Sequence, residues 1–519
     1  MGEAKQENKK EISSASSQPE NFPKPSSAKP QQSNAPSQAP PENLQPPNSP
    51  AQIPSADLQP IKAPPPKEPT PAFIKKIEKI NKENPCLIHD ISSCVRCGRC
   101  AIACQKIQGL SPMEFEEGSH RWKFCPTISH SENAAFCVYC GQCILACPNG
   151  SIKEKEHINE VRAAISDPSK IVIAQTAPAV RASLGETQGM PAGSLITGKM
   201  VAALRRLGFD KVMDTAFAAD LTIMEEGNEF IGRLEKNENL PLITSCCPAW
   251  VRYAEKFFPQ MLPNLSSCKS PHQMFGAIAK TYYAKKSNLD PKNIVVVSIM
   301  PCIAKKFECS RPEMNSSGYK DVDYVLTTRE LGKMLKEANI ELRALPDEFF
   351  DHAMGAASGA GTIFGASGGV MEAALRTVAD KLDTAELPKI DYEQVRGMDG
   401  TRTATIEINS KKINVAVVHG LKNAKALLEK VQSGEQKLHF IEIMACPGGC
   451  IAGGGQPIPT NPEIVKKRAA ALYHQDLILP LRKSHKNPEI IALYNEFLQT
   501  PGSEKAHKLL HTIYAKREN

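Results

Sequence analysis

The sequence predicts a large α/β domain, preceded by a small cysteine-rich α+β domain and a disordered tail. Three observations predict it. Proline is concentrated at one end, with 17 of the 41 prolines in residues 1–72. Cysteine is clustered, with eight of the 17 in two short runs of identical spacing. From about Lys170 onward, short apolar runs alternate with helical patterns. That alternation implies α/β architecture with largely parallel sheets.

The tail comes first. A chain of 519 residues suggests roughly three domains of about 150 residues. Residues 1–72 hold one aromatic, Phe22, and runs such as Pro64-Pro65-Pro66. Such a segment cannot bury enough apolar surface to offset its conformational entropy, so it is expected to be disordered. It carries seven basic and seven acidic residues, which leaves the formal +7 on the remainder. Spread over that length, the charge does not form a nucleic-acid-binding stripe. No apolar stretch follows the N-terminus, as a secretory signal would require. Gln6 stands where myristoylation needs Ser or Thr, and no apolar run reaches the length of a membrane span. The expected location is therefore cytoplasmic. An organellar address stays open, although Glu3, Glu7 and Glu11 do not suit a transit peptide.

The small domain follows. Cys94, Cys97, Cys100 and Cys104 read C-x2-C-x2-C-x3-C, and Cys137, Cys140, Cys143 and Cys147 repeat the pattern, with Pro148 after the last. Two such runs are the bacterial-ferredoxin signature for two 4Fe-4S cubanes. Three thiolates on a tight loop containing Gly98 or Gly141 hold one cubane, and the fourth cysteine reaches the other. This assigns Cys94, Cys97, Cys100 and Cys147 to one cluster, and Cys137, Cys140, Cys143 and Cys104 to its neighbour. Eight thiolates would also fill two zinc sites, but the doubled run is rarely a zinc pattern. Gln105 replaces the proline usual after the fourth cysteine. The domain is placed at residues 73–165.

The α/β domain is placed at residues 166–460. Strands are predicted at Lys170–Ala174, Leu242–Thr244, Ile294–Met300, Val415–His419 and His439–Met444. Helices are predicted at Gly198–Leu207, Ala218–Leu234, Gln273–Lys286, Thr328–Ala338, Val370–Lys381 and Ala424–Gln432. Three cysteine motifs fall at or just after strands. The first is Thr244-Ser245-Cys246-Cys247-Pro248-Ala249-Trp250, and the second is Met300-Pro301-Cys302 with Lys305 and Glu308 beyond it. The third runs from Glu442 through Met444, Cys446 and Cys450 to Gly453-Gly454-Gly455 and Pro457. Loops at the carboxyl ends of parallel strands are where such folds bind ligands, so three loops could converge on one site. The glycines at 365–369 and 453–455 match no phosphate-binding motif. They are read as positions where backbone approaches a bulky cofactor.

Together the three motifs resemble the signature loops of the iron-only (FeFe) hydrogenases, T-S-C-C-P-x-W, M-P-C-x-x-K-x-x-E and E-x-M-A-C-x-x-G-C-x-x-G-G-G-x-P. The resemblance runs from near Cys94 to the C-terminus. Residues 461–519, with Ser484-His485-Lys486-Asn487-Pro488 and His507–Tyr514, resemble a small-subunit segment, helical and here fused to the large one. The resemblance implies two lobes around an H-cluster, a 4Fe-4S cubane joined through one cysteine to a di-iron centre with CO, cyanide and azadithiolate. It implies that Cys247, Cys302, Cys446 and Cys450 ligate the cubane and that Cys450 bridges to the di-iron unit. Thiolates are the ligands that select iron–sulfur centres. Lys305 would donate to a cyanide. Ala177, Pro178, Met300 and Pro301 would surround the diatomic ligands, and Met444 would face the bridge. The family often has serine at Ala179, so one cyanide contact lacks its hydroxyl donor here.

Cys246 adjoins a ligand, and neighbouring side chains seldom point the same way. It is read as a proton carrier, since a thiol can be tuned toward neutrality. The resemblance extends the relay through Glu226, Ser266, Glu229 and Arg233. Spacing alone would make Glu226, Glu229 and Arg233 a solvated helix face; the intact loops favour the relay.

The expected activity is that of a ferredoxin-type FeFe hydrogenase, the reversible reduction of protons to H2. Electrons would pass through two 4Fe-4S clusters to and from a low-potential ferredoxin or flavodoxin, and maturation proteins would build the H-cluster. Two alternatives are an iron–sulfur assembly protein of the same superfamily and a hydrogen sensor. The first should lack the Cys-Cys pair or the full third loop, and the second should lose Cys246 and carry a signalling domain. Cys86, Cys125, Cys268 and Cys309 fit no spacing, and histidines such as His130 show no ligand spacing. Three oxidised cubanes would add roughly −6, so attraction to an acidic carrier must come from a local basic patch.

Overall fold

Among the described residues, two antiparallel strand pairs and the helices between them open the fold. The computed structural model describes residues 78, 81–95, 97–110, 113–116, 121–124, 136–382 and 391–517. They belong to one compact unit that runs from Ile61 to Asn519. The tail predicted over residues 1–72, Cys125 and His130 lie outside the described residues. Strand β1 (Leu87–His89) is followed by helix α1 (Arg99–Gln108), the hairpin strands β2 (Met113–Glu116) and β3 (Arg121–Phe124), helix α2 (Gln142–Ala146) and strand β4 (Ile152–Glu154). β1 and β4 pair antiparallel, with Leu87 opposite Glu154. Both helices start at a glycine in the left-handed region, Gly98 at φ 72° and Gly141 at φ 75°. Each cysteine run therefore turns sharply before entering its helix.

Eight strands follow: β5 (Ile171–Thr176), β6 (Lys211–Asp214), β7 (Leu242–Ile243), β8 (Ile294–Met300), β9 (Tyr324–Thr327), β10 (Thr401–Ile408), β11 (Lys411–His419) and β12 (Phe440–Met444). The first sheet has the order β6-β5-β8-β9 and is parallel throughout. Its central strands β5 and β8 are almost entirely buried, as strands covered on both faces must be. That is why they read as continuous apolar runs. The second sheet has the order β10-β11-β12-β7. β11, β12 and β7 are parallel, but β10 pairs antiparallel with β11. The sheets are thus largely parallel, as expected, with this one antiparallel pair at an edge. Asn409 and Ser410 hold φ 47° and 60° between the two strands, which is the tight hairpin turn that needs positive φ at both positions. β10 alternates exposed and buried residues along the sheet edge and so lacked an apolar run.

The helices that matter for the site are α3 (Thr215–Lys236), α4 (Pro248–Phe257), α5 (Pro271–Ile278), α6 (Ala304–Glu308), α7 (Gly369–Leu382), α8 (Pro462–Ile478) and α9 (Glu504–Leu510). α3 packs its Phe230 ring on Phe440 of β12 at 4.8 Å, an aromatic contact worth about 1 kcal/mol. The helix predicted over 273–286 is interrupted: α5 gives way to a π-helical segment at Ala279–Tyr283. The C-terminal segment is bound by buried ion pairs. Arg468 of α8 reaches Glu186 at 2.6 Å, and Asp476 reaches Arg376 of α7 at 2.8 Å. After α9 the chain forms a β-bridge between His511 and Cys268. Among the described residues, no helix is long and apolar enough to cross a membrane.

Candidate functional site

Three loops leave the carboxyl ends of β7, β12 and β8, strands of two different sheets. Backbone bonds tie them together. Thr244 N–H donates to Ile441 O at 3.0 Å, and Gly455 N–H donates to Pro301 O at 2.8 Å. Ile443 N–H donates to the Thr244 hydroxyl at 3.2 Å. The third loop doubles back at Gly448 and Gly449, with φ 88° and 95°. At Gly449 a Cβ would lie 2.6 Å from Ser367 N, so only glycine fits the turn that brings Cys450 back toward Cys446.

The four thiols predicted as cubane ligands face one another. Cys302 and Cys247 each act electrostatically on both Cys446 and Cys450. Burial pushes Cys302 and Cys450 up to about 12, and Cys446 well above the ordinary thiol range. Such thiols are protonated at neutral pH until a metal displaces the proton. Burial also raises Cys247, but its sulfur accepts backbone N–H bonds from Ala445, Trp250 and Ala249. Two of those donors belong to the first turn of α4, where N–H groups stabilise a thiolate. The sulfur of Cys302 accepts from the backbone of Lys305 in the same way. Soft thiols with N–H donors aimed at sulfur are the chemistry an iron–sulfur cluster needs, so these residues fit the group.

The ferredoxin-type cysteines form a second assembly. Cys104 lies within electrostatic reach of Cys140, Cys137 and Cys100, and Cys143 within reach of Cys140, Cys137 and Cys104. Cys100 feels Cys94 and Cys97. A pocket lined by Cys100, Cys104, Cys137, Cys140 and Cys143 is completed by Leu87, Phe136, Val138, Gly141 and Gln142. Cys147 accepts backbone bonds from Ile152, Asn149 and Ser151. Cys140 acts on Cys446 and is itself acted on by Cys247. The second cysteine run therefore abuts the three-loop site. The first leads to the surface, where Cys97 is exposed.

Two glutamines join these parts. Gln108, at the end of α1, donates to Ala445 O at 2.8 Å, and Gln142 donates to Ala452 O at 2.9 Å. The triple glycine serves the same junction. A Cβ on Gly454 would lie 2.3 Å from Cys140 O, and one on Gly453 would lie 2.1 Å from Pro301 O. Within the protein itself, what Gly453 and Gly454 approach is backbone of the neighbouring loops.

Ala177 opens the turn after β5, and its N–H donates to Ile299 O at 3.0 Å. This places Ala177 and Pro178 beside Met300 and Pro301. Met300 and Met444 are buried at the ends of β8 and β12, and Ala179 is fully buried. The Lys305 ammonium lies 3.0 Å from Glu308 Oε2 and 3.5 Å from Cys246 O. Behind this pair is a buried chain that sequence reasoning missed. His272 Nε2 meets Glu308 Oε2 at 2.7 Å, and His272 Nδ1 meets Ser298 Oγ at 3.1 Å. Gln175 donates to that same Ser298 hydroxyl at 2.8 Å. Burial and then Lys305 push His272 down to about 4, so it is neutral at physiological pH. Although burial opposes it, Lys305 with His272 holds the Glu308 carboxyl far below the usual range.

The predicted relay residues are contiguous. Burial, and after it Glu226, raises Cys246 well above the ordinary thiol range. Burial pushes Glu226 up to about 8, against a hydrogen bond from Ser266. Glu226 Oε2 is buried with no hydrogen-bond partner. Ser266 Oγ donates to Glu229 Oε2 at 3.1 Å, and Arg233 meets Glu229 Oε1 at 2.6 Å. Arg233 also donates to the carbonyls of Asn239, Asn264 and Leu265. Of the unassigned cysteines, Cys86, Cys268 and Cys309 are buried.

Comparison with known proteins gives three family matches. Residues 170–454 match the iron only hydrogenase large subunit, C-terminal domain. Residues 462–517 match the iron hydrogenase small subunit, and residues 132–153 match the 4Fe-4S binding domain. The chain is 51% identical over 439 residues to the NADP-reducing hydrogenase subunit HndD of Solidesulfovibrio fructosivorans, covering 83% of this chain and 75% of that protein. It is 48% identical over 447 residues to iron hydrogenase 1 of Clostridium pasteurianum, covering 85% and 78%. The structure of apo FeFe-hydrogenase HydA1 from Chlamydomonas reinhardtii superposes with a TM-score of 0.63 at 42% identity, covering 70% of this chain and 99% of that one.

Proposed function

Because the chain belongs to the iron-only hydrogenase family, we propose that it interconverts two protons and two electrons with H2, in either direction. It is an iron–sulfur enzyme, a hydrogenase with an H-cluster. The observation that carries the finer reading is the meeting of Cys247, Cys302, Cys446 and Cys450 from three loops.

These four thiolates would hold the H-cluster cubane, and Cys450 would also bridge to a di-iron centre with CO, cyanide and azadithiolate. When bound, that cofactor supplies the redox and hydrogen-forming chemistry. The chain supplies placement, charge and proton transfer. Lys305, fixed by Glu308, keeps a positive donor at the site for an anionic cyanide. Ala177, Pro178, Met300, Pro301 and Met444 would line the space around the diatomic ligands and keep water from it. Cys246 exchanges a proton with the site. Glu226 is neutral at physiological pH because of burial, so it holds a proton ready for Cys246. Ser266 passes protons between Glu226 and Glu229, and Arg233 holds Glu229 in place.

Two 4Fe-4S clusters would relay electrons, one on Cys94, Cys97, Cys100 and Cys147 and the other on Cys137, Cys140, Cys143 and Cys104. Cys140 and Cys137 act on Cys104 more strongly than Cys100 of its own run does, which supports this exchange of the fourth ligand. Electrons would enter at exposed Cys97, flanked by exposed Val95 and Arg99, from a low-potential ferredoxin or flavodoxin. The identity with an NADP-reducing hydrogenase subunit favours a second reading, in which a partner subunit delivers electrons at the same face. Maturation proteins would assemble the H-cluster, and the expected location is cytoplasmic. The working domains are residues 73–165, 166–460 and 461–519.

The test is H2 evolution from reduced viologen by matured protein, with addition of a ferredoxin, a flavodoxin or NADPH to identify the donor. Turnover with viologen and ferredoxin supports the reading. Absence of H2 from protein carrying its full complement of iron contradicts it.

A further inference from the structure

The relay as far as Glu229 needs a group that exchanges protons with solvent, and Arg233 cannot be that group. A guanidinium does not release its proton in a protein, and Arg233 is engaged with Glu229 and three backbone carbonyls. It positions the carboxylate and carries nothing.

An imidazole lies on the other side of Glu229. A ring nitrogen of His511, a carboxylate oxygen of Glu229 and the sulfur of Cys268 all lie within 4.8 Å of one another. That gap is one a single water bridges. The bridge between His511 and Cys268, with Thr512 N–H donating to Ser267 O at 2.8 Å, fixes the backbone on which His511 stands. His511 Nδ1 meets Ser267 Oγ at 2.8 Å and Nε2 meets Glu225 Oε2 at 3.0 Å. Glu225 is held in turn by the Tyr494 hydroxyl and by Gly502 N–H at 2.8 Å. A carboxylate on Nε2 keeps the hydrogen there, leaving Nδ1 to take up and release a proton, while the carboxylate balances the imidazolium charge. The His511 side chain is 6% exposed, but its ring stacks at 4.1 Å on His507, which is exposed.

We propose that His511, supplied by the C-terminal segment, is the outer member of the proton relay. In H2 evolution a proton from solvent reaches Nδ1 and forms imidazolium paired with Glu225. It then passes across the bridging water to the Glu229 carboxylate, which restores neutral imidazole. H2 uptake reverses the order. The inference rests on the hydrogenase reading and extends its relay. The groups facing His511 are Glu225 and Glu229 from α3, Ser267 and Cys268 from the loop before α5, Tyr494 from the preceding helical turn, and His507 from α9.

The test uses matured holoenzyme carrying His511→Asn, which keeps a polar side chain at that position, and Glu225→Gln, which keeps His511 but removes its counter-charge. The readouts are infrared CO and cyanide bands, H2 turnover against pH, the solvent deuterium isotope effect, and rescue by added imidazole. For His511→Asn we expect unchanged bands, turnover lowered about tenfold or more, a larger isotope effect, and partial recovery with imidazole. For Glu225→Gln we expect turnover to fall and the isotope effect to rise, because the Nε2–H has lost its carboxylate acceptor. Wild-type turnover and isotope effect in His511→Asn overturn the proposal, as does a loss that imidazole does not restore. Wild-type turnover and isotope effect in Glu225→Gln overturn it even if His511→Asn fails to fold. Wild-type protein without the bands contradicts the hydrogenase reading itself, and the inference with it.

Discussion

The Lys305 ammonium lies 3.0 Å from the Glu308 carboxylate, and both groups are buried. Glu308 is thereby fixed between two nitrogens, since His272 reaches the same oxygen at 2.7 Å. With His272 neutral, Lys305 is the charge that Glu308 balances. A single carboxylate thus sets where the lysine points.

Glu308→Gln should destabilise the apoprotein by about 3–5 kcal/mol, the usual cost of leaving one member of a buried ion pair alone. Urea unfolding at pH 7 measures this. In the matured variant the cyanide infrared bands should shift more than the CO bands, because Lys305 is no longer held.

Cys246→Ala should load the same iron as wild type, because the ligand thiols are untouched. Turnover should fall by about a hundredfold or more, the usual range for a lost proton donor. Iron analysis and H2 evolution measure the two quantities separately.

Glu226 gives a pH prediction with a definite sign. Its carboxyl is pushed up to about 8 in the fold, while in the unfolded chain it ionises in the ordinary carboxylate range. Between these values the folded state holds the extra proton, so stability falls as pH rises. The stability is fully present below the ordinary carboxylate range and is lost as pH rises through about 8. Glu226→Gln should flatten this slope. Urea midpoints of apoprotein at pH 5 and above pH 8 compare the two.

Gly454→Ala places a Cβ 2.3 Å from Cys140 O and 2.6 Å from Gly141 Cα. Backbone cannot yield as a flexible side chain can, so the small domain must shift against the third loop. We expect a loss of about 1–3 kcal/mol in stability and slower electron delivery from reduced viologen. Stopped-flow reduction of the clusters should show the second effect.

The candidate cofactor ligands were legible in the sequence because coordination demands fixed residue types at fixed short spacings. Gly98 and Gly141 were legible for the same reason, as turns inside those spacings. β5 and β8 were legible because burial on both faces leaves an apolar run. β10 was not, since its edge position leaves alternating polar residues, and β6 and β9 are only four residues long. His272 and His511 were invisible because their partners are distant in the chain. His272 pairs with Glu308, 36 positions away, and His511 with Glu225, 286 positions away. No local pattern marks such a contact. The backbone that the triple glycine approaches, that of Cys140 and Pro301, was invisible for the same reason.

The most direct test of the central claim, that Cys247, Cys302, Cys446 and Cys450 together hold an H-cluster, is the infrared spectrum of matured protein in the CO and cyanide region, recorded beside a Cys450→Ala variant. The account predicts metal-bound CO and cyanide bands in the wild type and their loss in the variant. A wild type without these bands, or a variant that keeps them unchanged, would contradict it.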